Sequence, residues 1–161
     1  MSETIRVGIA DMNICKSPDK ITTIGLGSCV GVVLYNAQLK VAGLVHIMLP
    51  DSTKINQNQN KLKFADTGIE CLVAELEKRG IYRASLKAKI AGGARMFNFN
   101  VSSDIGSVGD KNVMAVRAKL AEYGIKIVSE DVGLNYGRTI VFDPETSELL
   151  IVTAGKQSKS I

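Results

Sequence analysis

A chain of 161 residues, 45% hydrophobic and 22% charged, fits one globular domain that buries roughly 70% of its unfolded surface, and this balance excludes disorder. It has no apolar run of about 18 residues to span a bilayer, and Met1-Ser2-Glu3-Thr4-Ile5-Arg6 has no apolar core of signal-peptide length. A net charge of +4 from scattered basic residues, with 5% aromatics, makes no nucleic-acid platform, so neither nucleic acid nor membrane insertion is expected.

Ile5-Arg6-Val7-Gly8-Ile9 alternates as a first strand, continued loosely through Met12 and Ile14, before the turn signal Ser17-Pro18-Asp19. Lys20 to Ile24 is a short β-branched strand, closed by Gly25 and Gly27. Two further strands follow, Val30 to Tyr35 and Val41 to Met48, around the polar break Asn36-Ala37-Gln38, and Pro50 stops the second. The polar, amide-rich stretch 51–63 reads as an exposed, mobile loop.

Asp66 or Thr67 is positioned to cap a helix to Arg79, with Ile69, Leu72, Val73 and Leu76 on one stripe and Gly80 as its stop. Leu86, Ala88 and Ile90 alternate as a strand ending at Gly92-Gly93. Met96 to Gly109 is irregular, and a second helix runs from about Asp110 to Tyr123, closed by Gly124. Ile125 to Val128 is again a strand, so the two halves repeat helix, glycine, isoleucine, strand. Arg138 to Phe142 and Leu149 to Val152 form a closing hairpin around Asp143-Pro144-Glu145-Thr146. These elements predict a single domain over 1–161, with residues 156–161 a frayed tail. The expected class is α+β, an α/β sandwich in which one mixed sheet is covered by helices.

The chemistry gathers around Thr22-Thr23-Ile24-Gly25-Leu26-Gly27-Ser28-Cys29 and around His46, which is the chain's one histidine. A two-residue turn at Ala37-Gln38 would set Asn36 against Leu39 and Cys29 directly opposite His46, where facing Cβ atoms are about 5 Å apart. A thiol facing an imidazole is the arrangement for nucleophilic catalysis, and the imidazolium would lower the thiol pKa below its free value. A one-residue slip would send the two side chains to opposite faces. The blander readings are a buried cysteine acting as a small hydrophobe and a histidine packed inside a strand. Glycines at 25, 27 and 31 favour the reactive reading for Cys29, whereas Cys15 and Cys71 lack such surroundings.

A hydroxyl of Thr22 or Thr23 is a candidate to orient the imidazole, and the alternative for both is plain strand formation. Backbone N–H groups around Gly27 and Ser28 are candidate oxyanion donors. The spacing of Gly25, Gly27 and Gly31 misses the dinucleotide fingerprint, no lysine follows as a phosphate loop requires, and one histidine with three scattered cysteines forms no zinc set. Gly92-Gly93 and Glu130-Asp131 read as structural turns and surface charges. The odd cysteine count argues against a disulfide framework and for a reducing, cytoplasmic setting.

Gly25-Leu26-Gly27-Ser28-Cys29-Val30 and His46-Ile47-Met48-Leu49-Pro50-Asp51-Ser52 resemble the chemoreceptor glutamine deamidases of bacterial chemotaxis, the CheD family. Further matches are Phe64-Ala65-Asp66, Lys89 to Phe97, Ile105-Gly106 with Asn112, and Glu130-Asp131-Val132-Gly133 with Gly137-Arg138. Leu134 departs from the pattern, which usually has a second glycine after Gly133. The resemblance implies a sandwich related to deamidating bacterial toxins, with cysteine nucleophile, histidine base and a threonine falling on Cys29, His46 and Thr23. It implies conversion of chemoreceptor glutamines to glutamate without cofactor or metal. It also implies a second partner, the receptor-mimicking chemotaxis phosphatase of the CheC type. Two other classes fit the cysteine–histidine pair: a binding module regulating that phosphatase, and a cysteine amidase acting on a small metabolite.

Overall fold

The apolar runs of the sequence are divided between two faces, and the fold follows from how each face is covered. The computed structural model describes residues 2–54, 60–96 and 107–161. Ten strands form two five-stranded sheets. They are β1 (Thr4–Val7), β2 (Met12–Lys16), β3 (Lys20–Leu26), β4 (Val30–Asn36), β5 (Val41–Ile47), β6 (Lys87–Gly92), β7 (Lys126–Val132), β8 (Arg138–Asp143), β9 (Glu148–Val152) and β10 (Lys159–Ser160). The first sheet has the order β1-β3-β8-β9-β10 and the second β2-β5-β4-β6-β7. Helices α1 (Ala65–Lys78) and α2 (Val108–Glu122) lie on the second sheet.

The class is α+β, as the order of elements predicts, but there are two mixed sheets where one was expected. The reason lies in strand alternation. Val30, Val32 and Leu34 of β4 face the helices with Val45 and Ile47 of β5, packing on Ile69, Leu72, Val116 and Leu120. Val33 and Tyr35, with Ala42 and Leu44, point the other way into a second core shared with Ile21, Leu26, Ile140, Phe142 and Ile151 of the other sheet. β4 is buried along its whole length because it is covered on both sides.

The first strand and its loose continuation are likewise two elements. β1 pairs with β3 in one sheet, and β2 pairs with β5 in the other. The two α-β units predicted by repetition bring β6 and β7 side by side in parallel, each entered from a glycine of positive φ, Gly80 or Gly124. Local ends also differ from expectation. Phe64 precedes α1 without a side-chain cap, and Asp66 in the first turn instead accepts from Ser52 Oγ at 2.7 Å. Ser107 caps α2 by accepting from the Asp110 N–H at 3.1 Å.

Short 3₁₀ turns at Ser52–Lys54 and Lys61–Lys63 flank the expected loop at 51–63, of which 55–59 lie outside the described residues. Residues 97–106, within the stretch read as irregular, lie outside them too, and with them the matches at Phe97 and Ile105-Gly106. The tail is not frayed: Lys159 and Ser160 pair with β9, and Ile161 exchanges two backbone hydrogen bonds with Leu149.

Asp131 of the second sheet holds two cations of the first. Arg138 of β8 donates through Nε to Asp131 Oδ2 of β7 at 2.8 Å, and Lys159 reaches Asp131 Oδ1 at 2.7 Å. Asp131 is therefore a buried carboxylate and not the surface charge that its place at a strand end suggested. Removing one member leaves the other buried and unpaired, which typically costs about 3–5 kcal/mol. Asp131→Ala is expected to lose stability on that scale in guanidinium titrations. The double variant Asp131→Ala with Arg138→Met should lose clearly less than the sum, and additive losses would mean that the pair does not act as one.

Candidate active site

β3 ends in one sheet and β4 begins in the other, so Gly27-Ser28-Cys29 are the residues that carry the chain across. The crossing sets the cysteine at the margin of the core between the sheets, where it is partly buried. Alternation along β5 turns Val45 and Ile47 to the helices and His46 toward the inter-sheet core, where it is fully buried.

The hairpin register differs from the expected one. Gly31, not Cys29, lies opposite His46, and Asn36 pairs with Val41. Ala37-Gln38 does not supply the positive φ values of a two-residue hairpin turn. The chain turns instead over residues 37–40 with Lys40 at φ 54°, and Asn36 Oδ1 accepts from the Leu39 N–H at 2.9 Å. The shift amounts to two residues, and Cys29 lies in the bend just before β4, outside the paired register.

Gly31 makes room for what happens beside the imidazole. A Cβ there would sit 2.7 Å from Ile140 Cδ1 and 3.2 Å from Leu26 Cδ1. Its absence lets the sheets approach closely enough for Thr23 of β3 to reach His46 of β5. The Thr23 hydroxyl donates to the Val7 carbonyl at 2.8 Å. Its single proton is thereby used, so at His46 Nδ1, also 2.8 Å away, the oxygen must accept. Nδ1 therefore carries the hydrogen, and Nε2 holds the lone pair. Nε2 is buried and has no hydrogen-bond partner among the described residues. Thr22, the other candidate, is taken out of the site because its hydroxyl donates to the Ile140 carbonyl at 2.7 Å.

Burial governs the resting charges. It depresses the His46 pKa to about 4, so the ring is neutral at physiological pH. Burial also pushes the Cys29 thiol above its ordinary value, opposed by the residue's own backbone N–H. The lowered thiol pKa expected from a facing imidazolium is thus reversed. At rest the site holds a neutral thiol and a neutral base.

The crossing loop is held by its carbonyls. Gly27 O accepts from the Ala94 N–H and Cys29 O from the Gly93 N–H, both at 2.8 Å. Ser28 O accepts from Asn112 Nδ2 at 2.9 Å, and the same nitrogen reaches Met48 O at 2.9 Å. Gly92, at φ 113°, has to be glycine, since a Cβ would lie 2.2 Å from the Cys29 carbonyl oxygen. The Gly92-Gly93 turn is structural, as read, but what it structures is the crossing loop that carries Cys29.

Gly27 is not an available oxyanion donor, because its N–H bonds to Gly25 O at 3.1 Å. Among the described residues the Ser28 and Cys29 N–H groups have no backbone carbonyl partner. A cavity of about 460 Å³ beside Gly25, lined by Tyr136, Arg138 and Thr153 among others, includes neither Cys29 nor His46 and is not the reaction centre.

Sequence reasoning assigned no role to Asn112, although a signal was present. Asn112, Val116 and Leu120 recur at helical spacing on one buried face, where an amide is out of place unless it has work to do.

The family model described as CheD chemotactic sensory transduction matches residues 48–153. Three similar curated proteins each bear the name "Probable chemoreceptor glutamine deamidase CheD". That of Lachnoclostridium phytofermentans is 60% identical over 161 residues, covering 100% of both chains. That of Caldanaerobacter subterraneus is 56% identical over 160 residues and covers 99% of both. That of Syntrophomonas wolfei is 48% identical over 161 residues, again covering 100% of both. The crystal structure of the Bacillus licheniformis hypothetical protein YfiH overlaps 72% of this chain and 47% of its own, at 16% identity and a TM-score of 0.45, a likeness too slight to carry a functional reading.

The state of His46 has a measurable consequence. The unfolded chain binds a proton at this ring below its ordinary pKa of 6.5, whereas the folded chain does not until about 4. Stability is therefore complete above pH 6.5 and is lost as the pH falls toward 4, by about 3 kcal/mol from this group. His46→Gln should flatten the stability profile between these limits by that amount in denaturant titrations at stepped pH. An unchanged slope would mean that the imidazole is not held neutral.

Proposed function

Because the chain belongs to the CheD family, we propose that it is a protein-glutamine deamidase acting on the cytoplasmic helices of chemoreceptors, with Cys29 as nucleophile, His46 as general base and Thr23 as the residue that orients the imidazole. The observation that carries this reading is the Thr23 hydroxyl held between Val7 O and His46 Nδ1, which fixes the imidazole tautomer and leaves the Nε2 lone pair without a partner among the described residues.

In the reaction Nε2 takes the thiol proton as Sγ attacks the carboxamide carbon of a receptor glutamine. The carbonyl oxygen becomes a tetrahedral oxyanion, received by the Ser28 and Cys29 N–H groups, each such donor being worth about 3 kcal/mol. The imidazolium passes its proton to the departing nitrogen, ammonia leaves and a thioester remains. Water then gives a proton to the same Nε2 and attacks the thioester carbon. Collapse releases glutamate, and the thiolate recovers its proton. A thiol, an imidazole and water suffice, so no cofactor or metal is called for. In this reading the chain works in the cytoplasm, where the receptor helices it acts on lie. A chemotaxis phosphatase of the CheC type is the second partner in this reading.

A module that only docks the phosphatase would gain nothing from a buried, unpaired Nε2, which is costly to keep. An amidase for a small metabolite would share the chemistry and differ in substrate. Ammonia release from a purified receptor fragment, and not from free glutamine, separates the three. None from either would leave the docking role, and release from free glutamine would favour the metabolite enzyme.

Cys29→Ala should abolish deamidation with the fold intact by circular dichroism, whereas Cys15→Ser and Cys71→Ser should leave the rate within about twofold. Release of ammonia at the normal rate by Cys29→Ala would end the proposal. Thr23→Val should lower kcat by about 10²-fold or more with little change in KM, since orientation is felt in the chemical step.

The pH profile follows from the resting charges. The neutral base is lost only as His46 protonates, so kcat/KM should hold its plateau through pH 5–6 and fall through half near pH 4. An acid limb centred near the ordinary histidine value would show a base exposed to water.

A further inference from the structure

Three successive carbonyls of the crossing loop are anchored, but not by the same means. Backbone N–H groups of the Gly93-Ala94 turn hold the first and third, Gly27 O and Cys29 O. The middle one, Ser28 O, is reached by the side chain of Asn112. A peptide unit is planar and trans, so its C=O and N–H point in opposite directions. The unit that contains Ser28 O also contains the Cys29 N–H. Fixing the oxygen against α2 therefore turns the Cys29 N–H away from the helix.

Asn112 makes a second attachment. Its Nδ2 also donates to Met48 O, just beyond the end of β5 and two residues past His46. One NH₂ group thus joins the residue before the cysteine to the segment that follows the histidine. These groups lie far apart in the chain, at separations of 84 and 64 residues from Asn112.

The side chain is retained against its own costs. Asn112 is fully buried, it has poorer helix propensity than an alanine, and its Oδ1 has no partner among the described residues. Packing alone would be better served by an apolar residue on the stripe shared with Val116 and Leu120.

We infer that Asn112 is a positioning residue of the reaction: its amide locks the Ser28–Cys29 peptide plane and ties it to the end of the histidine strand, so that the Cys29 N–H faces the developing oxyanion. This rests on the reading of Cys29 as nucleophile. Asn112 touches neither thiol nor substrate, and it acts through the loop. Loss of its two donors frees that peptide to rotate, which removes an oxyanion donor while the receptor-binding surface is unchanged.

The test compares Asn112→Ala with Val116→Ala, a cavity variant on the same buried face of α2 that removes no hydrogen bond to the loop. Both should lower the melting temperature. Asn112→Ala is expected to lower kcat for a receptor fragment by about 10- to 100-fold with KM within about threefold, whereas Val116→Ala keeps kcat within about threefold. Equal kcat losses at matched loss of melting temperature overturn the inference, as does a loss confined to KM. If Asn112→Ala does not fold, Asn112→Ser, whose one hydroxyl serves only one carbonyl, is judged by the same criteria.

A second readout needs no receptor. The ¹³C shift of the Ser28 carbonyl and the ¹⁵N shift of the Cys29 amide should move in the Asn112 variant and stay in place in Val116→Ala, and unmoved shifts overturn the inference. If wild-type protein fails to deamidate receptor, the functional reading fails, and the shifts still decide the role of Asn112.

Discussion

Burial of one imidazole between two sheets is the constraint on which the site depends. Water cannot stabilise a charge there, so the ring is neutral, and a neutral imidazole acts as base only if the correct nitrogen is bare. The chain settles this with one hydroxyl. Thr23 gives its proton to the backbone of β1 and so can only receive from His46. Choice of tautomer, orientation of the ring and close approach of the sheets at Gly31 are then one requirement met by one packing arrangement.

The same burial explains why the resting pair is uncharged. An exposed thiolate–imidazolium pair is reactive toward any electrophile, whereas in the proposed reaction a neutral thiol and a neutral base wait for a substrate that brings its own polarisable carbonyl and excludes water. Leu134 lies on the surface. It keeps the left-handed backbone that the family's glycine adopts freely, at φ 60°, presents an exposed apolar side chain, and its carbonyl accepts from the Arg95 N–H at 2.8 Å.

How much of this was legible in the sequence divides along contact distance. The β4–β5 hairpin and the repeated α-β units follow from alternation and glycine punctuation, which are local. The register missed by two residues because Ala-Gln makes no tight turn, and the side chain of Asn36 organised a longer one. The split into two sheets was hidden because residues 8–11 read as a continuing strand, while in the fold Ala10 at φ 56° turns the chain from one sheet to the other. Asn112, Gly93 and Ala94 act on residues more than sixty positions away, and no local pattern encodes that. The direction of the thiol shift was misread because sequence spacing suggests a charge nearby and says nothing of the water removed.

The order in which the chain leaves the ribosome gives the crossing loop a further significance. Thr23, Cys29 and His46 all lie within the first third of the sequence, and the hairpin that carries His46 and follows directly on Cys29 can close early. The backbone turn at 93 and 94 and the amide at 112, which anchor the loop's carbonyls, follow later. On the proposed reading, a nascent chain exposes its thiol before the loop that carries it is anchored, and chemical competence arrives with the second helix, when most of the domain has emerged.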